Sequence, residues 1–294
     1  MRGYTQRELA DAFSAVGLAE GDIVYLTTQL YGLGPMADAT NRLDFLERFY
    51  AAIRSAIGQG GTLVVPTFTQ QVGQFGLPYI HEETVSLTGI LGEHVRQRAD
   101  SIRSLHPVFS VAAIGPRQDE LCRDVSPVAF GVDSAFDRLA RLGGKAVCLG
   151  FEYYSGHIVS LMHHVETMFA VPYYYNKIVQ SAVHAEGKKI DREFVINVRY
   201  LGMECIFDYR KYTDALAERG MIRSAPIGSG DMHAVDLKDM MDVGVSQLKD
   251  DLYAFLSHPP EYRRGEIPME GPESGGLDAA PREANWVGFK IGAR

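Results

Sequence analysis

Apolar positions along the chain alternate between helical and strand spacing. After Thr5-Gln6-Arg7-Glu8, which has the form of a capping box, Leu9, Phe13 and Val16 recur at helical intervals and stop at Gly17. Residues 23–26 form a short apolar run, read as a buried strand. Residues 40–57 place Leu43, Leu46, Tyr50, Ile53 and Ile57 on one helical face before Gly58, and 62–65 are a second buried strand closed by Pro66. Strand, helix and strand in that order predict a right-handed crossover between parallel strands. The alternation continues with helices over 89–98, 134–141 and 160–169 and strands over 108–113 and 145–149. Strand-like stretches at 178–184 and 194–200 flank Glu186-Gly187, so an antiparallel hairpin is expected there, followed by helices over 211–219 and 235–256.

This pattern predicts an α/β fold, a mixed and largely parallel sheet with helices on both faces and an antiparallel hairpin in the C-terminal half. One domain over residues 1–258 and a Pro/Gly-rich extension over 259–294 are expected; the extension reads as a mobile tail, with docking on the body or a partner through Trp286, Val287 and Phe289 as the alternative. A homodimer is carried as an expectation.

Composition narrows the function classes. With 29 Lys+Arg against 37 Asp+Glu the net charge is −8, which argues against nucleic-acid binding through a basic surface. No apolar stretch reaches the ~18 residues of a membrane span, and the N-terminus lacks a signal peptide's apolar region. Cys122, Cys148 and Cys205 are few, odd in number and far apart, which suits free thiols in a reducing cytoplasm.

Candidate chemistry begins at Ser160-Leu161-Met162-His163-His164-Val165-Glu166. On a helix, His163 and Glu166 share a face, with Ser160 one turn earlier on the same side. A carboxylate beside an imidazole raises its basicity and fixes its orientation, which suits a general base; the alternative is an ordinary helix surface pair. His164 points roughly 100° away and is not given that role. A zinc-protease helix needs two His four apart, so no metal is expected. Arg103-Ser104-Leu105-His106-Pro107, with Ser110, offers a fixed-charge donor suited to phosphate, or else a capped loop entering a strand. Thr27 and Thr28, and Thr67 and Thr69, follow strands where open α/β sheets bind ligands, though ordinary loop polarity would also account for them. Ser134 is read as a helix N-cap.

Taken in order, these segments resemble the aminoglycoside 3-N-acetyltransferase family from about Tyr4 to Leu256. The run from Gly21 to Thr28 looks like its first strand and coenzyme loop, and the run from Gly61 to Thr69 is similar to its GTLVMPTFT segment. Thr88-Gly89, the Arg103 to Ser110 signature, Phe130-Gly131 with Ser134, and Lys145 to Gly150 follow in the same order. Ser160 to Glu166 falls on the TxLHxxE motif, with weaker matches at Val171-Pro172-Tyr173 and Gly228-Ser229-Gly230.

The resemblance implies an α/β/α sandwich and direct acetyl transfer from acetyl-coenzyme A to a small-molecule amine. His163, held by Glu166, would take the amine proton, and Ser160 would stabilise the oxyanion. Coenzyme contacts are implied at Thr27, Thr28, Arg103, Ser104, His106 and Ser110. The chain departs from the pattern at Thr27-Thr28-Gln29, where the family has His-Ser-Ser, and at Val159-Ser160, where it has Asn-Thr. The stretch with Tyr153 and Tyr154 is unusual as well, which leaves the acceptor open among aminoglycosides, amino sugars and other biosynthetic amines. A thioester hydrolase using Ser160, His163 and Glu166 is the competing reading, although no GxSxG elbow is present. A non-catalytic coenzyme- or sugar-binding relative is the third.

Overall fold

The computed structural model describes residues 2–151, 159–200 and 205–262, with the backbone alone for Val159 and Ser160. The first third of the chain forms α1 (Gln6–Ala15), β1 (Ile23–Thr28), a 3-10 turn (Leu30–Leu33), α2 (Arg42–Ile57) and β2 (Thr62–Pro66). The capping box is formed: Glu8 N donates to Thr5 Oγ1 at 3.2 Å, and Thr5 N donates to the Glu8 carboxylate at 2.8 Å. Helix α2 starts two residues later than the apolar pattern suggests, because Asn41 caps it while Thr40 N binds Asp44 outside the helix.

Beyond β2 come α3 (Gln70–Phe75), β3 (Tyr79–Ile80), α4 (Ile90–Arg96), β4 (Ile102–Arg103), β5 (Val111–Ile114), α5 (Gln118–Cys122), α6 (Ala135–Arg141) and β6 (Lys145–Leu149). The remainder is α7 (Val159–Phe169), β7 (Tyr174–Ile178), β8 (Val183–Ala185), β9 (Lys188–Lys189), β10 (Val195–Arg199), α8 (Arg210–Glu218), β11 (Arg223–Ile227), β12 (Gly230–Asp236) and α9 (Leu237–Asp250). Val235, expected to open the last helix, lies inside β12 instead, and Asp236, the last residue of that strand, is the N-cap of α9.

The main sheet runs β11-β12-β6-β1-β2-β5-β4. Its centre is the anticipated crossover: β1 lies between β2 and β6 and is parallel to both. Parallel pairing is confined to these three strands, and the four outer strands are antiparallel to their neighbours. Alternate residues of β1 serve two cores. Val24 and Leu26 pack with α1, α2 and α4, while Ile23 and Tyr25 pack with α6, α7 and α9. Burial on both faces explains the unbroken apolar runs and yields the expected α/β/α sandwich.

Strands β11 and β12 were not visible in the apolar pattern. Pro226 sits in β11, which is an edge strand where the missing N–H is tolerated. Their turn needs Gly228: its φ is 60°, and a Cβ there would lie 2.1 Å from the Leu33 carbonyl oxygen. The expected hairpin is partly redrawn. Glu186-Gly187, both at positive φ, joins β8 to the two-residue β9, and β8 also pairs with β3. Strand β10 pairs instead with β7, with Arg199 opposite Tyr174. Among the described residues no helix is long and apolar enough to cross a membrane. All three cysteines are free and buried. The extension, from residue 263, lies outside the described residues, as do Tyr153 and Tyr154.

Candidate active site

Because β6, β1 and β2 are parallel, their carboxyl ends open on one side, where α/β sheets bind ligands. A cleft of about 730 Å³ lies there. Thr27 and Thr28 at the end of β1 and residues 29–31 beyond it line the cleft, with Pro66 at the end of β2, Phe68 and Gln70 beyond it, and Phe151 after β6. The start of α4 closes another wall, and His163 reaches the cleft from α7. Gly150 lets two strand ends converge: its φ is 77°, and a Cβ would come within 2.5 Å of the Gln29 carbonyl oxygen.

The anticipated pair is formed. His163 Nδ1 lies 2.8 Å from Glu166 Oε2, and the Glu166 side chain is wholly buried while that of His163 is 17% exposed. With the Nδ1 proton given to the carboxylate, the lone pair resides on Nε2, which is the form a base requires. Rings of Phe130, Tyr174 and Phe207 meet the imidazole edge-on at 5.7, 5.6 and 6.1 Å and restrict its rotation.

The corner after α7 brings two further groups to the pair. Ala170 takes a left-handed conformation (φ 58°) and Val171 N donates to the Glu166 carbonyl, which ends the helix and turns the chain back. Tyr173 OH then donates to Glu166 Oε1 at 2.8 Å, and Tyr174 OH lies 3.1 Å from His163 Nδ1. Burial, reinforced by the Glu166 charge, raises both phenols above their ordinary range, so both keep their protons.

His164 faces the opposite way, as helix geometry demands. Its Nδ1 accepts from Gly131 N at 3.2 Å, and burial pushes its pKa down to about 4. Ser134 caps α6 by accepting from Asp137 N. The backbone of Ser160 is in α7, and its side chain lies outside the described residues.

The six implied coenzyme residues divide. Thr27 and Thr28 line the cleft. Arg103, Ser104, His106 and Ser110 are buried instead, and their polar groups are committed to protein. Arg103 Nε donates to Ser110 Oγ at 3.0 Å, and its Nη atoms donate to the carbonyls of His81, Thr84 and Thr67 at 2.9–3.0 Å. Ser104 Oγ accepts from Val111 N, and His106 Nδ1 accepts from Val108 N and Phe109 N. Burial pushes the pKa of His106 down to about 4. Thr67 and Thr69 are internal too, paired with Ser110 and the Pro107 carbonyl. Arg103, Ser104, His106 and Ser110 thus brace the loop behind the cleft and are not among the residues that line it.

The aminoglycoside 3-N-acetyltransferase family model matches residues 39–249, most of the chain. The chain belongs to this family. Aminoglycoside N(3)-acetyltransferase VII of Streptomyces paromomycinus is 26% identical, over 84% of this chain and 92% of its own length. Aminoglycoside N(3)-acetyltransferase IV of Salmonella sp is 25% identical, over 88% of this chain and 92% of its own. Family members are thus acyltransferases by name. The fold is shared with a solved AAC-IIIb described as binary with CoASH (TM-score 0.71, 20% identity), which covers 88% of this chain and 100% of its own. A sisomicin-bound AAC-VIa has TM-score 0.71 at 18% identity, over 84% of this chain and 98% of its own.

Sequence reasoning missed the contributions of Tyr174 and Phe207 and saw Tyr173 only as a weak family match. In this acetyltransferase they meet the His163–Glu166 pair through a corner and a neighbouring segment. The signal available was Val171-Pro172 directly after the helix, a stop that returns the following residues over its last turns.

Proposed function

We propose that the protein transfers an acetyl group from acetyl-coenzyme A to an amine of an aminoglycoside or a related amino sugar. The observation that carries this reading is the His163–Glu166 pair opening on a cleft at the ends of three parallel strands. Relatives named as aminoglycoside N(3)-acetyltransferases support the acceptor class, and the CoASH-bound fold relative supports the coenzyme.

In this mechanism the amine nitrogen attacks the thioester carbonyl carbon. A C–N bond forms, and the carbonyl electron pair moves onto oxygen, toward which the Ser160 hydroxyl is the candidate donor. The nitrogen loses its proton to His163 Nε2, and Glu166 stabilises the imidazolium that results. The oxygen pair then returns, the C–S bond breaks, and the departing thiolate takes the proton from His163. Thr27 and Thr28 line the cleft and are the candidates for coenzyme contact. Residues 1–258 act as the catalytic unit, and three free thiols suit a reducing cytoplasm.

Thiol release from acetyl-coenzyme A, followed across a panel of aminoglycosides and amino sugars, tests the reading. Release that requires an acceptor, with an acetyl mass gain on an amine, supports it. Release without acceptor would turn the reading to a hydrolase, and coenzyme binding without release to any amine would turn it to a binding protein.

A further inference from the structure

Glu166 is a fully buried carboxylate with two described side-chain partners, one on each oxygen. Oε2 lies 2.8 Å from His163 Nδ1, and Oε1 accepts from Tyr173 OH, also at 2.8 Å. We propose that Tyr173 is a positioning residue of this dyad: its hydroxyl anchors Oε1, so that Oε2 stays aimed at the imidazole.

A buried carboxylate without hydrogen bonds is costly, and it relieves that cost by taking a proton or by rotating toward another donor. Either response would deprive Nδ1 of its acceptor and release the tautomer that keeps the lone pair on Nε2. Tyr173 prevents both without touching substrate, because its hydroxyl ends on Glu166. Tyr174 does not substitute for it, since its oxygen lies beside Nδ1 and not beside Oε1.

The groups around the dyad let the sign of the effect be worked out. From the corner before β7 it faces Tyr173, from β7 Tyr174, from the approach to α8 Cys205 and Tyr209, and from β10 Arg199, which acts on Tyr174. Burial and the Glu166 charge hold the three phenols and the thiol protonated, so they add no negative charge near neutral pH. Removing the Tyr173 hydroxyl withdraws stabilisation from the carboxylate alone. The affinity of the pair for a proton rises whichever partner receives it, so protonation moves to higher pH.

The kinetic arm of the test rests on the acetyltransferase reading, whereas an NMR arm does not need turnover. In Tyr173→Phe, the 15N ring signals of His163 are expected to titrate about one pH unit higher. The acidic limb of kcat should move with them. On that acidic limb kcat should fall about tenfold at a given pH, with KM for acetyl-coenzyme A within about twofold of the parent. In a Glu166→Gln background, adding Tyr173→Phe should leave the ring titration unmoved, because its route of action is gone.

An unshifted His163 titration in folded Tyr173→Phe overturns the proposal, as does an equal shift in both backgrounds. Should Tyr173→Phe not fold, 3-fluorotyrosine placed at position 173 alone provides a stronger donor and should move the titration to lower pH. Movement to higher pH there also overturns it. A shifted titration in a protein that releases no thiol would reject the proposed reaction while leaving this assignment standing.

Discussion

The bracket around Arg103 and the corner around Glu166 each bury a charged side chain and tie it down with hydroxyls or carbonyls. Around Arg103 the guanidinium, Ser110 and Thr67 form a closed set, with backbone carbonyls accepting the remaining donors. Around Glu166, Tyr173 takes one oxygen and His163 the other, and the imidazole that completes the chain of contacts lines the cleft. The difference lies in where each network ends. One ends on the protein's own backbone and can only hold it together; the other ends on a ring nitrogen that a ligand can meet.

Substitutions that break each network should therefore be read out in different quantities. His163→Ala should lower turnover by ~100-fold or more while coenzyme binding is kept, as calorimetry and steady-state kinetics would establish. Full turnover in that variant would remove the imidazole from the reaction. Arg103→Ala should do the reverse. It leaves three carbonyls and the Ser110 hydroxyl without their charged donor, so stability should fall by about 3 kcal/mol, with a melting point lower by roughly 6–12 °C. Coenzyme affinity per folded molecule should be unchanged; a selective loss of affinity would return Arg103 to the binding site.

A further effect concerns pH. Burial pushes the pKa values of His81, His106 and His164 from 6.5 down to about 4. Between those values the unfolded chain binds more protons than the folded one, so stability falls as pH drops from 6.5 toward 4. At its steepest, each histidine contributes about 1.4 kcal/mol per pH unit. Urea unfolding at several pH values would measure the slope, and His106→Asn should reduce it by one proton. An undiminished slope would mean that His106 takes up its proton alike in the folded and unfolded chain.

How far sequence could see follows the same division. The β1-α2-β2 unit was legible because both faces of its strands are buried and α2 has a long apolar stripe. The β11–β12 hairpin was not, because an edge strand carrying Arg223, Ser224 and Pro226 lacks the apolar run of a buried one. His163 and Glu166 were legible from their spacing on a helix. Tyr173 and Tyr174 reach them through a corner that reverses at Ala170, and side-chain periodicity does not report reversals. The segment around Arg103 was recognised as a family signature, but a motif does not say whether its donors face outward. Only the burial and the partners of Arg103 reveal that.

The buried cysteines have a consequence at the bench. Burial raises the thiol of Cys148 to about 11 and that of Cys122 to about 12, and it raises Cys205 as well. Near neutral pH the native molecule offers a disulfide reagent almost no thiolate, so colour developed during turnover would come from the coenzyme and not from the protein. Unfolding exposes all three, and the same cuvette then counts molecules that have lost their fold.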